Sequence, residues 1–241
     1  MFYFDPLYML MVLVTLAFSL WATSRVKSAF ARYSRVPSAT GLSGAQVARR
    51  ILDQNGLMEI PVEPVGQQLM LFGGDGMLSD HYDPVKKAVR LSPEVYRSSS
   101  IAAQAIAAHE CGHAVQHAAA YAPLMLRNAM VPVATFGSHA SYFLIFLGFI
   151  MHAMMMVKLG IVLFTAAVIF QLITLPVEFD ASHRAKRLLT EYGLISPPDR
   201  HGVSAVLNAA AWTYVAAAAA AVLNLLYLLL RSGLLGGSRK D

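Results

Sequence analysis

The sequence predicts a mainly α-helical integral membrane protein, with about four transmembrane helices and one small α+β domain on the cytoplasmic side. Three observations predict it. Hydrophobic residues make up 56% of the 241 and charged residues only 14%, where soluble domains carry roughly 25% charged. Apolar runs long enough to cross a hydrocarbon core of about 30 Å recur along the chain. Between the first and second of these runs the composition turns mixed and polar, as in a globular domain.

Leu7 to about Trp21 forms the first run, and Arg25, Lys27, Arg32 and Arg35 follow it as a basic flank. Residues 36–128 read as globular. Ser43 and Gln46 bracket a helix start, and Val47, Ile51 and Leu57 give the apolar pattern of an amphipathic helix that ends at Gly56. GQQLMLFGG (66–74) and DHYDPVKKAVRLS (80–92) read as short strands, with Asp83-Pro84 as a turn between paired segments. Ser92, Pro93 and Glu94 read as a helix cap and first turn. The serines 98–100 then cap a helix over IAAQAIAAHECGHAVQHAAA (101–120).

Residues 130 to about 151 form the second apolar run, separated from that helix by Pro123 and Pro132. Leu159–Val177 form the third and Ala209–Leu230 the fourth. The expected organisation is therefore an N-terminal anchor (1–23), a cytoplasmic domain (24–128), a transmembrane hairpin (129–177), a cytoplasmic segment (178–205), a last transmembrane helix (206–231) and a tail (232–241). Fifteen lysines and arginines fall in residues 24–128 and 178–205, against four elsewhere. The excess orients those segments toward the cytoplasm, although the basic tail fits that arrangement poorly.

The net charge of +5 is spread beside apolar runs. It reads as topology signals and contacts with acidic lipid, and not as a nucleic-acid surface. The single cysteine, Cys111, excludes an intrachain disulfide and permits a reducing compartment. The start, MFYFDPLYML, lacks the basic leader of a cleavable signal peptide.

The chemistry is concentrated in AAHECGHAVQH (107–117). His109 and His113 stand four apart on a helix and project from one face, close enough to share a metal ion. Glu110 beside the first completes the H-E-x-x-H pattern of zinc peptidases. In such sites zinc acidifies a water to a pKa of about 7; Glu110 is the general base that takes its proton and returns it to the leaving amine. A third ligand must come from elsewhere. Residue 119 is alanine, and His117 lies too far along a straight helix for a compact three-histidine site. A carboxylate remains, and Glu178 and Asp180 stand at the end of the third run. Two crossings separate His113 from them, so the hairpin brings them back to the side on which the histidines sit.

LSDHYDP, VRLSPEVY, AAHECGHAVQH and LPVEFDASHRA together resemble the YugP-type membrane zinc metallopeptidases, over about residues 36–205. The resemblance implies a zincin-like domain in a membrane-bound zinc endopeptidase, with His109, His113 and Glu178 as zinc ligands. A more distant similarity is to the HtpX-like and prenyl-protein peptidases, whose third ligand lies in E-x-x-A-D. Glu178 and Ala181 match that pattern, and the final aspartate is replaced by Ser182. Steadying a ligand histidine then falls to Asp180 or to the Ser182 hydroxyl.

Asp80, His81 and Asp83 precede the metal helix. His81 is a candidate donor to an oxyanion and Asp80 a candidate orienter of a ligand histidine, against the plainer reading of a polar hairpin turn. The strand near them could pair with an extended substrate backbone. His183, Arg184 and Tyr214 are weaker candidates for contact with the transition state. His139 falls inside a run and reads as a neutral histidine bonded to a neighbouring helix. Cys111 reads as packing.

The functional expectation is a membrane-bound zinc metallopeptidase that hydrolyses peptide bonds at the cytoplasmic face. It sits multi-pass in the plasma membrane of a bacterial cell. Zn2+ is its cofactor, and its partners are a peptide or protein substrate and the bilayer, with room for a homo-oligomer or an accessory membrane protein and no nucleic acid. The alternatives are an intramembrane zinc protease and a catalytically silent, zinc-stabilised scaffold.

Overall fold

The computed structural model describes residues 5–65 and 79–234. The strand expected over 66–74 lies outside the described residues. In chain order the elements are α1 (Pro6–Tyr33), α2 (Gly44–Gln54), β1 (Val62–Pro64), β2 (His81–Asp83), β3 (Ala88–Leu91), α3 (Pro93–Arg97), α4 (Ile101–Ala118), α5 (Ala122–Ile150), α6 (Met154–Glu191), a 3-10 turn (Pro197–Asp199) and α7 (Arg200–Arg231). Four helices, α1, α5, α6 and α7, are long and apolar enough to cross a membrane. Together with a small mixed sheet they make this a helical membrane protein with a minor α+β part.

The chain divides into two compact units. One comprises residues 1–22, 122–176 and 213–241; the other comprises residues 23–121 and 177–212. In the first, Val157, Ile161, Phe164, Val168 and Leu228 form a buried cluster. Small residues allow close helix approach there: a Cβ on Gly148 would stand 2.9 Å from the Val157 nitrogen. Tyr227 donates to Asp5 at 2.9 Å. Large apolar side chains such as Phe136, Phe143, Phe146 and Met155 are exposed, as a lipid-facing surface requires. His139 bonds to the Thr135 carbonyl one turn back in its own helix at 2.7 Å, not to a neighbouring helix.

One expectation about a helix break needs correction. Pro132 does not separate an apolar run from the metal-motif helix; it lies inside α5. The break comes earlier, at residues 119–121, where Ala120 turns to φ +48. A proline removes one helical donor, but in an apolar stretch the remaining backbone groups have no water to turn to, so the helix runs through. The helix that carries the third run is longer than the run itself. Helix α6 continues through Pro176 to Glu191 and carries Glu178, Asp180 and Ser182 with it.

The second unit is built on α2, α4 and the polar half of α6. Ser43 and Gln46 form a reciprocal capping box on α2, and Ser92 and Ser100 cap α3 and α4. Gly56 takes φ +71 just beyond α2. The sheet has order β1-β3-β2, with β1 parallel and β2 antiparallel to β3. The expected hairpin at Asp83-Pro84 is present, and β2 lies at an edge among the described residues. Val47, Ile51, Leu52, Val89, Leu91, Leu188 and Leu189 bury against the alanines of α4. That alanine run leaves α4 thin, so that other helices can come close.

Helices α4 and α6 come close at Gly112, where a Cβ would stand 2.6 Å from the Ala181 carbonyl oxygen on α6. That oxygen belongs to backbone and cannot rotate away. Gly112→Ala should therefore push α4 and α6 apart and cost about 1–3 kcal/mol as overpacking. The check is thermal unfolding of the detergent-solubilised full chain, where the melting temperature should fall by several degrees.

Candidate metal centre

Along α4, His109, His113 and Gln116 share one face at helical spacing. Along α6, Glu178 and Ser182 stand one turn apart and face them. Ligand atoms of His109, His113 and Glu178 all lie within 4.8 Å of one another. Nε2 of His109 is 3.2 Å from Glu178 Oε2, and Nε2 of His113 is 3.6 Å from the same oxygen. The two imidazoles meet edge to face with centroids 4.8 Å apart. Glu178 is 3% exposed and His113 8%, so the cluster is largely shielded from water.

The other ring nitrogens are held from behind. Ser182 Oγ lies 3.1 Å from His109 Nδ1. Gln116 donates through Nε2 to the Val177 carbonyl and to Asp180 Oδ2, each at 2.8 Å. Its remaining polar atom, Oε1, is an acceptor and lies 3.0 Å from His113 Nδ1. His113 must then donate from Nδ1, which leaves Nε2 as the ring nitrogen that faces the cluster. Arg184 donates to Asp180 at 2.5 Å and lies over the Tyr121 ring. A chain of bonds thus runs from Arg184 through Asp180 and Gln116 to His113.

Glu110 is buried, with its Oε2 accepting from the Tyr82 N–H at 2.9 Å. Tyr82 Oη in turn lies 2.8 Å from His117 Nδ1, so edge strand β2 is fastened to α4 at both points. Asp80 reaches no histidine. It accepts from the Ser92 N–H at 2.6 Å and the Ser92 hydroxyl at 3.2 Å. Burial pushes the Asp80 carboxyl up to about 7; the Ser92 N–H opposes that shift and the Glu110 charge reinforces it. His81 Nδ1 lies 2.8 Å from the Ser79 carbonyl. His183 is exposed, and Tyr214 belongs to the other compact unit. Cys111 faces α2, where its thiol lies 3.6 Å from the Ala48 carbonyl and burial raises its pKa.

Burial by itself would lower the His113 pKa, but the hydrogen bond and charge of Glu178 more than offset it and hold the imidazole above its ordinary value. The pocket therefore favours positive charge between its rings and its carboxylate. Two inward-facing imidazole nitrogens and one carboxylate, with both outer nitrogens tethered, make the donor set that suits zinc in sites with an open position. The residues present fit the metal.

Sequence reasoning brought His109, His113, Glu178, Glu110 and Ser182 to this centre. It missed Gln116 and the Tyr82 backbone N–H. The available signal for Gln116 was a glutamine three positions after His113, on the metal face of an otherwise alanine-lined helix.

Two histidines and a carboxylate placed to hold a metal, in a chain with four helices apolar enough to cross a membrane, define a candidate membrane metalloprotein. The sequence profile of the family described as "Putative neutral zinc metallopeptidase" matches residues 8–233, and the chain belongs to that family. It is also 47% identical over 220 residues to "Putative membrane protease YugP" of Bacillus subtilis (strain 168), covering 91% of this chain and 94% of that one. No solved structure shows a significant match.

If the outer tethers set the ring orientations, Ser182→Ala and Gln116→Ala should each weaken zinc binding about 10–100-fold. Gln116→Ala should be the more damaging, because it also removes the two bonds by which α4 holds the Val177 carbonyl and Asp180 of α6. Zinc competition against a chelator of known affinity measures both.

Proposed function

We propose that the protein is a zinc-dependent endopeptidase in which His109, His113 and Glu178 hold the metal and Glu110 is the general base. What supports the reading is the convergence of those three donors within 4.8 Å, with Glu110 next to one of them on the same helix. Family membership independently indicates a zinc peptidase. Bound zinc would supply Lewis-acid polarisation of a peptide carbonyl and acidification of a water.

The rest falls to the chain's own residues. Glu110 accepts a proton from the attacking water and delivers it to the nitrogen of the departing amine. The Tyr82 N–H holds one of its carboxylate oxygens in place, which limits the positions it can take. Ser182 and Gln116 keep the rings turned toward the centre. Edge strand β2 next to Glu110 offers backbone groups along which an extended peptide can lie, which places a scissile bond beside the base. Asp80 fixes the turn into α3 through Ser92 and so holds the start of β2.

We assign the site to the cytoplasmic face of a plasma membrane, on the strength of the distribution of lysine and arginine. The domain boundaries expected from the sequence serve as the working division between cytoplasmic and transmembrane segments. A protein or peptide substrate follows from the peptidase family.

Glu110→Gln keeps the shape of the side chain and removes its basicity. It should retain bound zinc and the fold while cleavage of a fluorogenic casein substrate falls about 10²–10⁴-fold. Retained cleavage would rule out this base, and it would leave the enzyme to another residue. Parallel measurement of metal content separates the two carboxylates on α6. Glu178→Ala should lower zinc content much more than Asp180→Ala, whose carboxylate is engaged by Gln116 and Arg184. Equal or reversed effects would transfer the third ligand to Asp180.

A further inference from the structure

Away from the metal centre, the C-terminal half of α1 and the first turns of α7 enclose a cavity of about 510 Å³. It is lined by Arg25 and Arg32 from α1 and by His201, Ser204, Asn208 and Trp212 from α7. On α1 the two arginines are seven residues apart, with Ser28 and Ala29 between them on the same helical face. On α7 the lining residues recur with the same spacing. The wall thus holds two permanent cations and several neutral donors, and among the described residues no acidic side chain lines it. Lys186 donates to Asn208 Oδ1 at 3.3 Å, so the amide presents its NH2 as its other polar group and a further cation stands nearby.

We propose that this cavity binds the phosphate-bearing headgroup of an anionic phospholipid. Guanidinium forks match phosphate oxygens, and hydroxyl and amide donors complete the shell. Free phosphate shares that chemistry, but the flanking sequence favours a lipid. The apolar run of α1 ends at Ala22, three residues before Arg25, and that of α7 begins at Ala209, one residue after Asn208. Both helices therefore change from polar to apolar beside the cavity, which is where a headgroup attached to acyl chains resides. Trp212, one turn beyond Asn208, is an indole suited to that same level. The site is distinct from the peptidase machinery and does not rest on it.

The test is native mass spectrometry of the zinc-loaded full chain in mild detergent, offered equal amounts of phosphatidylglycerol and phosphatidylcholine. Wild type should retain phosphatidylglycerol preferentially, by about tenfold or more. Arg25→Gln/Arg32→Gln should abolish the preference, whereas Arg35→Gln/Arg50→Gln, which removes the same charge outside the cavity, should keep it. Ala205→Leu fills the cavity with every charge in place and should also lose the lipid, which covers the case of a misfolded arginine variant. Excess inorganic phosphate should not displace the retained lipid. Equal retention of the two lipids, equal loss in the two double variants, or full retention by Ala205→Leu would overturn the proposal. So would displacement by inorganic phosphate, which would make this a soluble-phosphate site.

Discussion

The centre depends on how closely two helices can approach. At Gly112 the backbone of α4 lies so near the Ala181 carbonyl of α6 that a single methyl group would intrude. At that separation short side chains suffice to bridge the gap. Glu178 meets both imidazoles directly, and a serine hydroxyl reaches His109. Were the helices a few ångströms further apart, Ser182 would be too short and the Gln116 amide could not reach the Val177 backbone. The alanines of α4 serve the same end, because they let α2 and α6 pack against it without bulk between. The glycine inside the H-E-x-x-H segment is thus as much a part of the candidate centre as the histidines flanking it.

Closeness brings an electrostatic difficulty that the polar network resolves. A buried carboxylate facing two imidazoles is costly unless positive charge is shared among them. His113 supplies the counterpart, and its pKa rises accordingly. Asp180 would be a second unbalanced carboxylate a half-turn away. Arg184 from behind and Gln116 from the front neutralise and saturate it. Every member of the chain from Arg184 to His113 has a partner, and such fully satisfied networks hold ring orientations rigidly. Glu110 is treated differently. Among the described residues its direct bond is to the Tyr82 main-chain N–H, which positions the carboxylate.

The local signals in the sequence translated well. Caps at Ser43, Ser92 and Ser100 and the hairpin at Asp83-Pro84 depend on neighbours within a few residues, and such rules act locally. The histidine pair was legible because helical spacing alone puts His109 and His113 on one face. The convergence of Glu178 could be argued from counting membrane crossings. Three features were not legible. Pro132 looks like a helix break, yet it lies inside a helix whose apolar setting overrides the proline signal. The link from Gln116 to Val177 and Asp180 joins residues more than sixty positions apart, and nothing periodic announces it. Asp80 looked like a histidine's partner and bonds to Ser92, because β3 ends beside it.

The continuity of α6 through Val177 places a tight condition on register. An α-helix turns about 100° per residue, so a slip of one position would bring Phe179 and His183 to where Glu178 and Ser182 stand. Phe179 is 48% exposed and His183 is also exposed, so the working face of α6 is narrow. Something must hold the rotation of a 38-residue helix to within a fraction of a turn. The side chains at the centre share that task with the backbone. Gln116 grips the Val177 carbonyl, one residue before Glu178, and the Gly112 contact seats against Ala181, one residue before Ser182. Each functional residue on α6 is therefore preceded by a main-chain contact to α4. Main-chain atoms cannot change rotamer, so these two contacts fix the azimuth of the helix, and the carboxylate and hydroxyl follow from it.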